Sequence, residues 1–421
     1  MNQRQQIIRV YANDDEPDQP RLMGVLTATQ LRGKEVFSFA YDPFFLSSGL
    51  AYSLDPDLQF FSGNQFVRDE KPNFGIFLDS SPDRWGRLLM RRREAVIARQ
   101  ENRKETTLVE SDYLLGVYDE HRMGAIRFKT EESGFFLNDN RAMAAPPFTS
   151  LRELEQASLH LEKEDSVDSP HYLTWLNLLM APGSSLGGAR PKASVRDSQN
   201  ELWMAKFPSA SDNRDVGAWE MLVHTLARQS GVVVADAFAE KFTGRHHTFL
   251  TKRFDRTPQR GRIHFASAMT LLGFSDGQNH HEGVSYLHLA EWITQQGAQV
   301  DTDLEQLWRR IVFSICVSNT DDHLRNHGFL LTPTGWTLAP AYDMNPVETG
   351  TGLTLNISDS DNSLDMELAL DVAPFFRLNE AKARSIIDQV KTVVTSWRTV
   401  ANQLKISRNE QELMANAFRS T

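Results

Sequence analysis

One cysteine in 421 residues, Cys316, has nothing to pair with inside the chain, which excludes an internal disulfide framework and suits a reducing compartment. No stretch approaches the ~18 uninterrupted apolar residues of a membrane-spanning helix. The opening Met1-Asn2-Gln3-Arg4-Gln5-Gln6 also lacks the apolar core of a secretion signal, so a cytoplasmic chain without a membrane partner is expected. Positive charge is not in excess: 45 Lys and Arg against 55 Asp and Glu give a formal net charge of −10. That balance argues against a protein that coats nucleic acid, whose affinity comes mainly from neutralising phosphates. The 24 Gly and 17 Pro are scattered and no internal repeat is visible, which argues against wholesale disorder and repeat architectures.

What remains is an ordinary globular composition, 40% hydrophobic and 24% charged, long enough for two or three domains of roughly 100–200 residues. The first part reads as short strands ("RLMGVL", "EVFSFAY", "MGAIRF") around a helix that begins after Ser81-Pro82-Asp83, with Ser81 as cap and Pro82 at the first helical position. Between Arg84 and Lys104 there are eight basic residues and two acidic ones. This reads as a solvated helix face, with a docking surface for a partner or DNA as the alternative. Tyr172, Leu173, Trp175, Leu176, Leu179 and Met180 fit a helix ended by Pro182-Gly183. A glycine-rich loop, the strand "ELWMAKF", the helix "GAWEMLVHTLARQSG" and the strands "VVVADAFAEKF" and "HTFLTKRF" follow. Beyond Gly261 helices dominate. Leu304, Leu307, Ile311 and Ile315 keep helical spacing, with Cys316 in that core, and Ile386, Val390, Val393, Trp397, Val400 and Leu404 predict one long amphipathic helix. The expected layout is a β-rich leader (1–150), an α/β lobe (151–260) and a mostly helical lobe (261–421).

The chemistry concentrates in "SNTDDHLRNHGFLL", residues 318–331. Asp321 and Asn326 stand five residues apart, the spacing of a protein-kinase catalytic loop, where the Asp orients the acceptor hydroxyl and the Asn amide oxygen holds Mg²⁺. The following "HGFLLTPTGWTLAPAYDMNP" reads as strand, turn, strand, then Asp343. A hairpin of that kind returns Asp343 beside Asn326, and a carboxylate with an amide oxygen suits a small, hard Mg²⁺ ion. Upstream, "PGSSLGGARPKAS" offers Gly183, Gly187 and Gly188 for close approach of backbone N–H groups to phosphates, although it is not a Walker A loop. Lys206 lies in an apolar strand and Glu220 on the next helix, as in the kinase pair of strand lysine and helix glutamate. Each signal is weak alone. Their order, from glycine loop to the last Asp, is the order of parts in a kinase.

Taken together, "SNTDDHLRNHGF", "LAPAYDMNP", "SSLGGARPK", "KFP" and "KRFDR", with the leader segments "FSFAYDPFFL", "DRWGRLLMRR" and "DYLLGVYDEHRMGAIRF", resemble the HipA-like serine/threonine kinases, toxins of bacterial toxin–antitoxin modules. The resemblance covers nearly the whole chain. It implies an α+β, bilobal, protein-kinase-like fold; ATP and Mg²⁺ as cofactors; Asp321 as the catalytic aspartate; and Asn326 and Asp343 as metal ligands. It further implies Lys206 as the phosphate lysine, Gly187 and Gly188 as the phosphate cradle, His323 at the nucleotide, and Lys252-Arg253-Phe254 as the hinge that meets adenine. Ser185, with Ser184 beside it, matches the serine that family members autophosphorylate. The implied partners are a protein with a Ser or Thr acceptor, such as an aminoacyl-tRNA synthetase, and a small DNA-binding antitoxin through which alone DNA is met. "GGARPK", and Lys252 where the best-known toxin has an acidic hinge residue, depart from the family pattern.

Two other readings of the same residues stand beside it. His323 and His327, four apart, share a face if they lie on a helix and then suggest a metal-dependent hydrolase or nuclease, with His280-His281-Glu282 as a second site. A catalytically silent module that sequesters a partner or represses an operon would need the fold without the chemistry.

Overall fold

The computed structural model describes residues 5–13, 20–31, 34–47, 52–68, 71–140, 144–163, 169, 171–179, 188, 190–244, 246–259 and 261–419. In chain order come β1 (Gln5–Ala12), β2 (Arg21–Leu31), β3 (Lys34–Tyr41), α1 (Pro43–Ser47), β4 (Gln65–Phe66), α2 (Gly75–Asp79), α3 (Arg84–Gln100), α4 (Glu110–Leu115) and β5 (Ile126–Lys129). Then follow α5 (Leu151–Leu161), α6 (Tyr172–Leu179), β6 (Lys192–Arg196), β7 (Leu202–Lys206), α7 (Val216–Gln229), β8 (Ala237–Glu240), β9 (Thr248–Lys252) and β10 (His264–Ser267). The rest comprises α8 (Ala268–Leu271), α9 (Tyr286–Gln296), α10 (Val300–Val317), β11 (Gly328–Thr332), β12 (Gly335–Leu338), α11 (Met366–Val372), α12 (Glu380–Thr395), α13 (Trp397–Gln403) and α14 (Arg408–Met414). Two compact units result, residues 1–210 with 255–266, and residues 211–254 with 267–421.

The first unit carries an antiparallel sheet in the order β4-β3-β2-β1-β5. Its strands alternate buried and more exposed positions, as period-two side chains require. The buried face is aromatic: Phe39 meets Tyr41, Phe74 and Phe77, and Phe77 meets Phe128. Arg122 is fully buried at this core and donates to the carbonyls of Ser80, Leu114, Val117 and Leu137 at 2.9 to 3.1 Å. Burial lowers its guanidinium to about 10, so it stays charged at neutral pH and ties four backbone turns together. The segment 255–266 is pinned to the same unit. Asp255 accepts from Gly124 N (2.8 Å) and from Arg256, whose Nη2 reaches Arg122 O at 2.8 Å.

α3 begins one cap later than the sequence predicts. Asp83 is the N-cap, its Oδ1 accepting from Gly86 N at 2.9 Å, while the Ser81 hydroxyl turns back to Phe77 O at 2.8 Å. A carboxylate satisfies the helix end as well as a hydroxyl does and adds charge where the dipole is positive. The basic run on α3 is largely paired within the chain. Arg87 holds Glu110 through two bonds of 2.6 and 2.7 Å, Arg103 bridges Glu94 and Glu101, and Arg92 donates to Leu161 O. The Glu94 carboxyl is drawn down to about 2 by its bond to Arg103.

In the second unit α10 packs against α9, α11 and α12, and α13 lies along α7. Cys316 is buried on α10, and burial pushes its thiol up to about 12, in keeping with a core role. The long terminal helix expected from periodicity is two helices, α12 and α13, broken at Ser396. Three side chains compete with the helical ladder there: Thr392 Oγ1, Thr395 Oγ1 and Ser396 Oγ bond the carbonyls of Asp388, Lys391 and Val393. The apolar face nonetheless continues through the break, with Val390, Val394, Trp397 and Val400 all buried.

The Asp83 carboxylate has a second task. Its Oδ2 lies 2.7 Å from Lys192 Nζ on β6, and the two side chains are 1% and 2% exposed. Lys192→Met leaves a buried carboxylate without its counter-charge and is expected to destabilise the chain by about 3–5 kcal/mol. Adding Asp83→Asn, which keeps a cap, should restore most of that loss in urea denaturation.

Candidate functional site

The site is built where α10 stops. Ser318 takes the left-handed conformation (φ 48°, ψ 48°) in which helices commonly end, a place glycine usually fills because a side chain there costs roughly 1–2 kcal/mol. The turn is held from outside: Val347 N donates to Ser318 O at 3.0 Å and Arg419 Nε to Ser318 Oγ at 3.1 Å. Beyond it the chain presents Asp321 to solvent and buries Asp322. A short 3-10 turn over Leu324–Asn326 then leads into β11. His323 N and Asn326 Nδ2 both donate to Asp321 O, at 3.0 and 2.9 Å, and Asn326 N donates to His323 O at 2.8 Å. These bonds commit the Asn326 amide nitrogen to the backbone and leave its oxygen as the end that can meet a cation.

The predicted hairpin is present. β11 and β12 pair antiparallel with Phe329 opposite Leu338. Past β12 the chain is stitched to the loop on both sides of Asp343. The Tyr342 hydroxyl donates to Arg325 O at 2.7 Å, and Asn345 N donates to Asn319 Oδ1 at 3.0 Å. Asp343 itself has φ +57°, so the backbone kinks at the carboxylate. These bonds tie the residues on either side of Asp343 to the loop that carries Asp321 and Asn326. Phe254 joins the same group, its ring stacked on Tyr342 with centroids 5.6 Å apart. Lys252, at the end of β9, is fixed by its backbone N–H to Asp236 O at 2.8 Å. His323 Nδ1 is buried without a hydrogen-bond partner among the described residues, a position that a ligand atom can fill.

Behind the loop the electrostatics are those of a dry interior. Burial raises the Asp322 carboxyl, but the charge and hydrogen bond of His327 and a bond from Tyr286 outweigh it and hold the group below the ordinary carboxylate range. The Tyr286 hydroxyl is pushed well above its usual value by burial and by Asp322. Arg310, fully buried, falls to about 10 through burial, with Asp322 pulling the other way.

Of the remaining candidates, Lys206 and Gly188 lie in the first unit. Lys206 closes β7 and is 8% exposed. It stands opposite Lys192 in the β6–β7 hairpin, so the two share a face. Lys192 is engaged twice, by Asp83 and by the carbonyl of Gly188 at 2.9 Å. No described atom lies within 4 Å of where a Cβ on Gly188 would stand. Gly187, Ser184 and Ser185 fall outside the described residues. Glu220 is buried on α7, in the second unit.

The histidine reading loses its geometry. The 3-10 turn separates His323 from His327, so no α-helix carries both, and His327 Nε2 faces Asp322 at 3.1 Å. Among the described residues no group of three or more His, Cys, Asp or Glu side chains could hold a metal ion. The residues that sequence reasoning passed over are Asn319, Asp322, Tyr342 and Lys192. Most of their partners are distant in sequence, and only the adjacency of two aspartates after an apolar helix hinted at one of them.

Residues 184–397, just over half of the chain, match the family model described as the HipA-like C-terminal domain. The chain belongs to the HipA-like family. A curated HipA relative, the serine/threonine-protein kinase toxin HipA of Shewanella oneidensis, is 26% identical over 228 residues, 48% of this chain and 51% of that protein. A Haemophilus influenzae protein provisionally named a kinase is 28% identical over 179 residues, 38% of this chain and 52% of its own length. The chain thus spans about half the length of the curated relatives it matches. The solved Shewanella oneidensis complex of HipA, HipB and operator DNA aligns with a TM-score of 0.67 at 17% identity, over 97% of this chain and 94% of that one. At that identity the likeness fixes the fold: the chain has the α+β architecture of HipA.

Tyr342→Phe removes the bond to Arg325 O and keeps the ring on Phe254. It is expected to lower stability by about 1 kcal/mol, read as a shift of the urea midpoint with an unchanged m-value.

Proposed function

We propose that this HipA-like chain is an ATP- and Mg²⁺-dependent serine/threonine protein kinase, the toxin of a toxin–antitoxin module. The observation that carries the reading is the stitching of the Asp343 segment to the Asp321–Asn326 loop through Tyr342 and Asn345. It ties the segment of a second carboxylate to a loop that carries one exposed carboxylate and one oriented amide, which supports reading them as the parts of a kinase loop. Asn326 and Asp343 would hold Mg²⁺, whose hard oxygen preference they fit. When bound, the ion supplies positive charge against the phosphates.

The chain's own residues do the rest. Asp321, exposed at the rim, aligns the hydroxyl of a protein serine or threonine and takes its proton as the γ-phosphoryl group transfers. Lys206 is assigned to the phosphates, with the backbone of Gly187 and Gly188 around them. His323 and the Lys252–Phe254 segment are assigned to the nucleoside end, where the Phe254–Tyr342 stack gives an apolar wall. Little covalent work falls to the protein, so rate comes from positioning and from charge already in place.

The relatives extend the proposal to partners. The Shewanella complex pairs HipA with HipB on operator DNA, which supports a small DNA-binding antitoxin here and DNA contact only through it. The internally paired basic run of α3 agrees with that division. No helix among the described residues is long and apolar enough to cross a membrane, and a cytoplasmic site of action is proposed with the target protein left as a Ser or Thr acceptor. Autophosphorylation is assigned to Ser185, with Ser184 as the neighbouring choice.

The test is transfer of label from γ-labelled ATP after phosphatase treatment of the chain. Wild type should take up one phosphate by intact mass and Ser185→Ala none. Asp321→Asn should lose about 10²–10⁴-fold in rate while still binding ATP. EDTA should abolish labelling, and Mg²⁺ should restore it. Label persisting undiminished in Asp321→Asn, or none in the dephosphorylated wild type, overturns the reading and leaves a silent binding module.

A further inference from the structure

The two aspartates of "DD" are adjacent in sequence and opposite in environment. Asp321 is exposed, whereas Asp322 is 5% exposed and turned into the interior. Its carboxylate is met from three directions. Oδ2 accepts the Tyr286 hydroxyl at 2.6 Å and lies 3.4 Å from Ser314 Oγ; Oδ1 lies 3.1 Å from His327 Nε2. Tyr286 is the first residue of α9 and is fully buried, Ser314 stands in the last turn of α10, and His327 is the foot of β11. The Tyr286 and His327 rings meet edge to face, with centroids 5.6 Å apart at 90°.

The step along the chain gives this cluster its meaning. Asp321 and Asn326 are five residues apart, and so are Asp322 and His327. The second pair repeats the spacing of the first one residue further on, and it is this pair that closes on itself inside the protein. Asp321 faces solvent, whereas Asp322, Asn326 and His327 are all buried. Each member of the second pair is covalently joined to a member of the first, so a contact that holds Asp322 near His327 restrains the separation of Asp321 and Asn326. Ser314 extends the hold, since its hydroxyl also accepts from Asn319 Nδ2 at 3.3 Å, and Asn319 in turn takes Asn345 N beside Asp343.

We propose that the Asp322 carboxylate, gripped by Tyr286, Ser314 and His327, is the positioning device of the catalytic loop. It sets the span between Asp321 and Asn326 without touching substrate or nucleotide. This inference rests on the kinase reading for its effect on rate, and on geometry alone for its effect on the loop. A carboxylate that accepts hydrogen bonds from α9 and α10 and stands 3.1 Å from the His327 ring nitrogen leaves the loop little rotational freedom. Loss of the phenol hydroxyl removes one of the three grips and keeps the aromatic packing.

Tyr286→Phe and Asp322→Asn test the proposal, with Ile293→Val, a buried change on the same helix α9, as a control for general destabilisation. In the two loop variants kcat should fall by about ten- to a hundredfold, the scale of a misplacement near 1 Å, with the KM for ATP within about twofold of wild type. Ile293→Val should leave kcat unchanged. Independently of activity, amide exchange at His323 and Asn326, both hydrogen-bonded within the loop, should quicken in the two variants and not in the control. Unchanged exchange overturns the inference whatever the enzyme does. A kcat equal to wild type, or lowered equally by Ile293→Val, overturns it as well. Faster exchange in a wild-type background that transfers no phosphate leaves the geometric claim standing and sinks the kinase reading alone.

Discussion

A carboxylate placed in an apolar interior has to find donors, and Asp322 finds them on two separate helices, with the His327 ring nitrogen 3.1 Å away at the foot of β11. That requirement constrains the second unit more than any apolar contact does. Leu, Ile and Val on α10 pack almost equally well after a small rotation or slide, because dispersion is non-directional. A hydrogen bond of 2.6 Å from a tyrosine on the neighbouring helix tolerates neither. The buried polar cluster thus sets the register between α9, α10 and the foot of β11. The loop that emerges above it inherits a fixed shape.

The loop is held from its open side by a second set of bonds, to backbone, amide and hydroxyl groups. Val347 N, Arg419 and Asn345 N meet Ser318 and Asn319 in turn, and Thr354 Oγ1 reaches Thr320 O at 2.7 Å. A loop on a protein surface is ordinarily its most mobile part, and functional groups placed on loops gain precision only from the scaffold beneath. Here the four residues before Asp322 each receive a tie or carry the candidate carboxylate. The left-handed strain at Ser318 and Asp343 sits within the same region, where surrounding bonds can over-determine it.

Sequence periodicity located the helices and hairpin that carry these groups, because burial repeats at 3.6 or 2 residues regardless of partners. α10, β11 and β12 stand where the pattern of Leu304, Leu307, Ile311 and Ile315 and the Thr-Pro-Thr-Gly turn put them. Periodicity did not reveal the break at Ser396, since the apolar face runs straight through it and only hydroxyl competition for the backbone interrupts the helix. It also gave Ser81 a cap that Asp83 holds, both residues being good caps within two positions. Within the candidate site, spacing singled out Asp321, Asn326 and Asp343 as candidates. Tyr342 and the Lys192–Asp83 pair were not singled out, for a physical reason: Arg325 and Asp83 lie 17 and 109 residues away, and no local pattern encodes such a pair; Asp322 has near partners in Ser314 and His327, but its bond from Tyr286 spans 36 residues.

Charge is distributed by the same logic. A chain of net charge −10 that carries eight basic residues between Arg84 and Lys104 could direct them outward to an anionic partner or inward to its own acids. Arg87 and Arg103 take the second course, each with short bonds to glutamates, and Arg92 caps the end of α5 by donating to Leu161 O. Exposed pairs of this kind add little stability, and each offsets positive charge only locally, so the run as a whole stays basic. Lys192 follows the rule in the interior, neutralised by Asp83 while it holds the Gly188 carbonyl. A lysine so placed serves the backbone of the glycine segment, and the strand position opposite it carries Lys206.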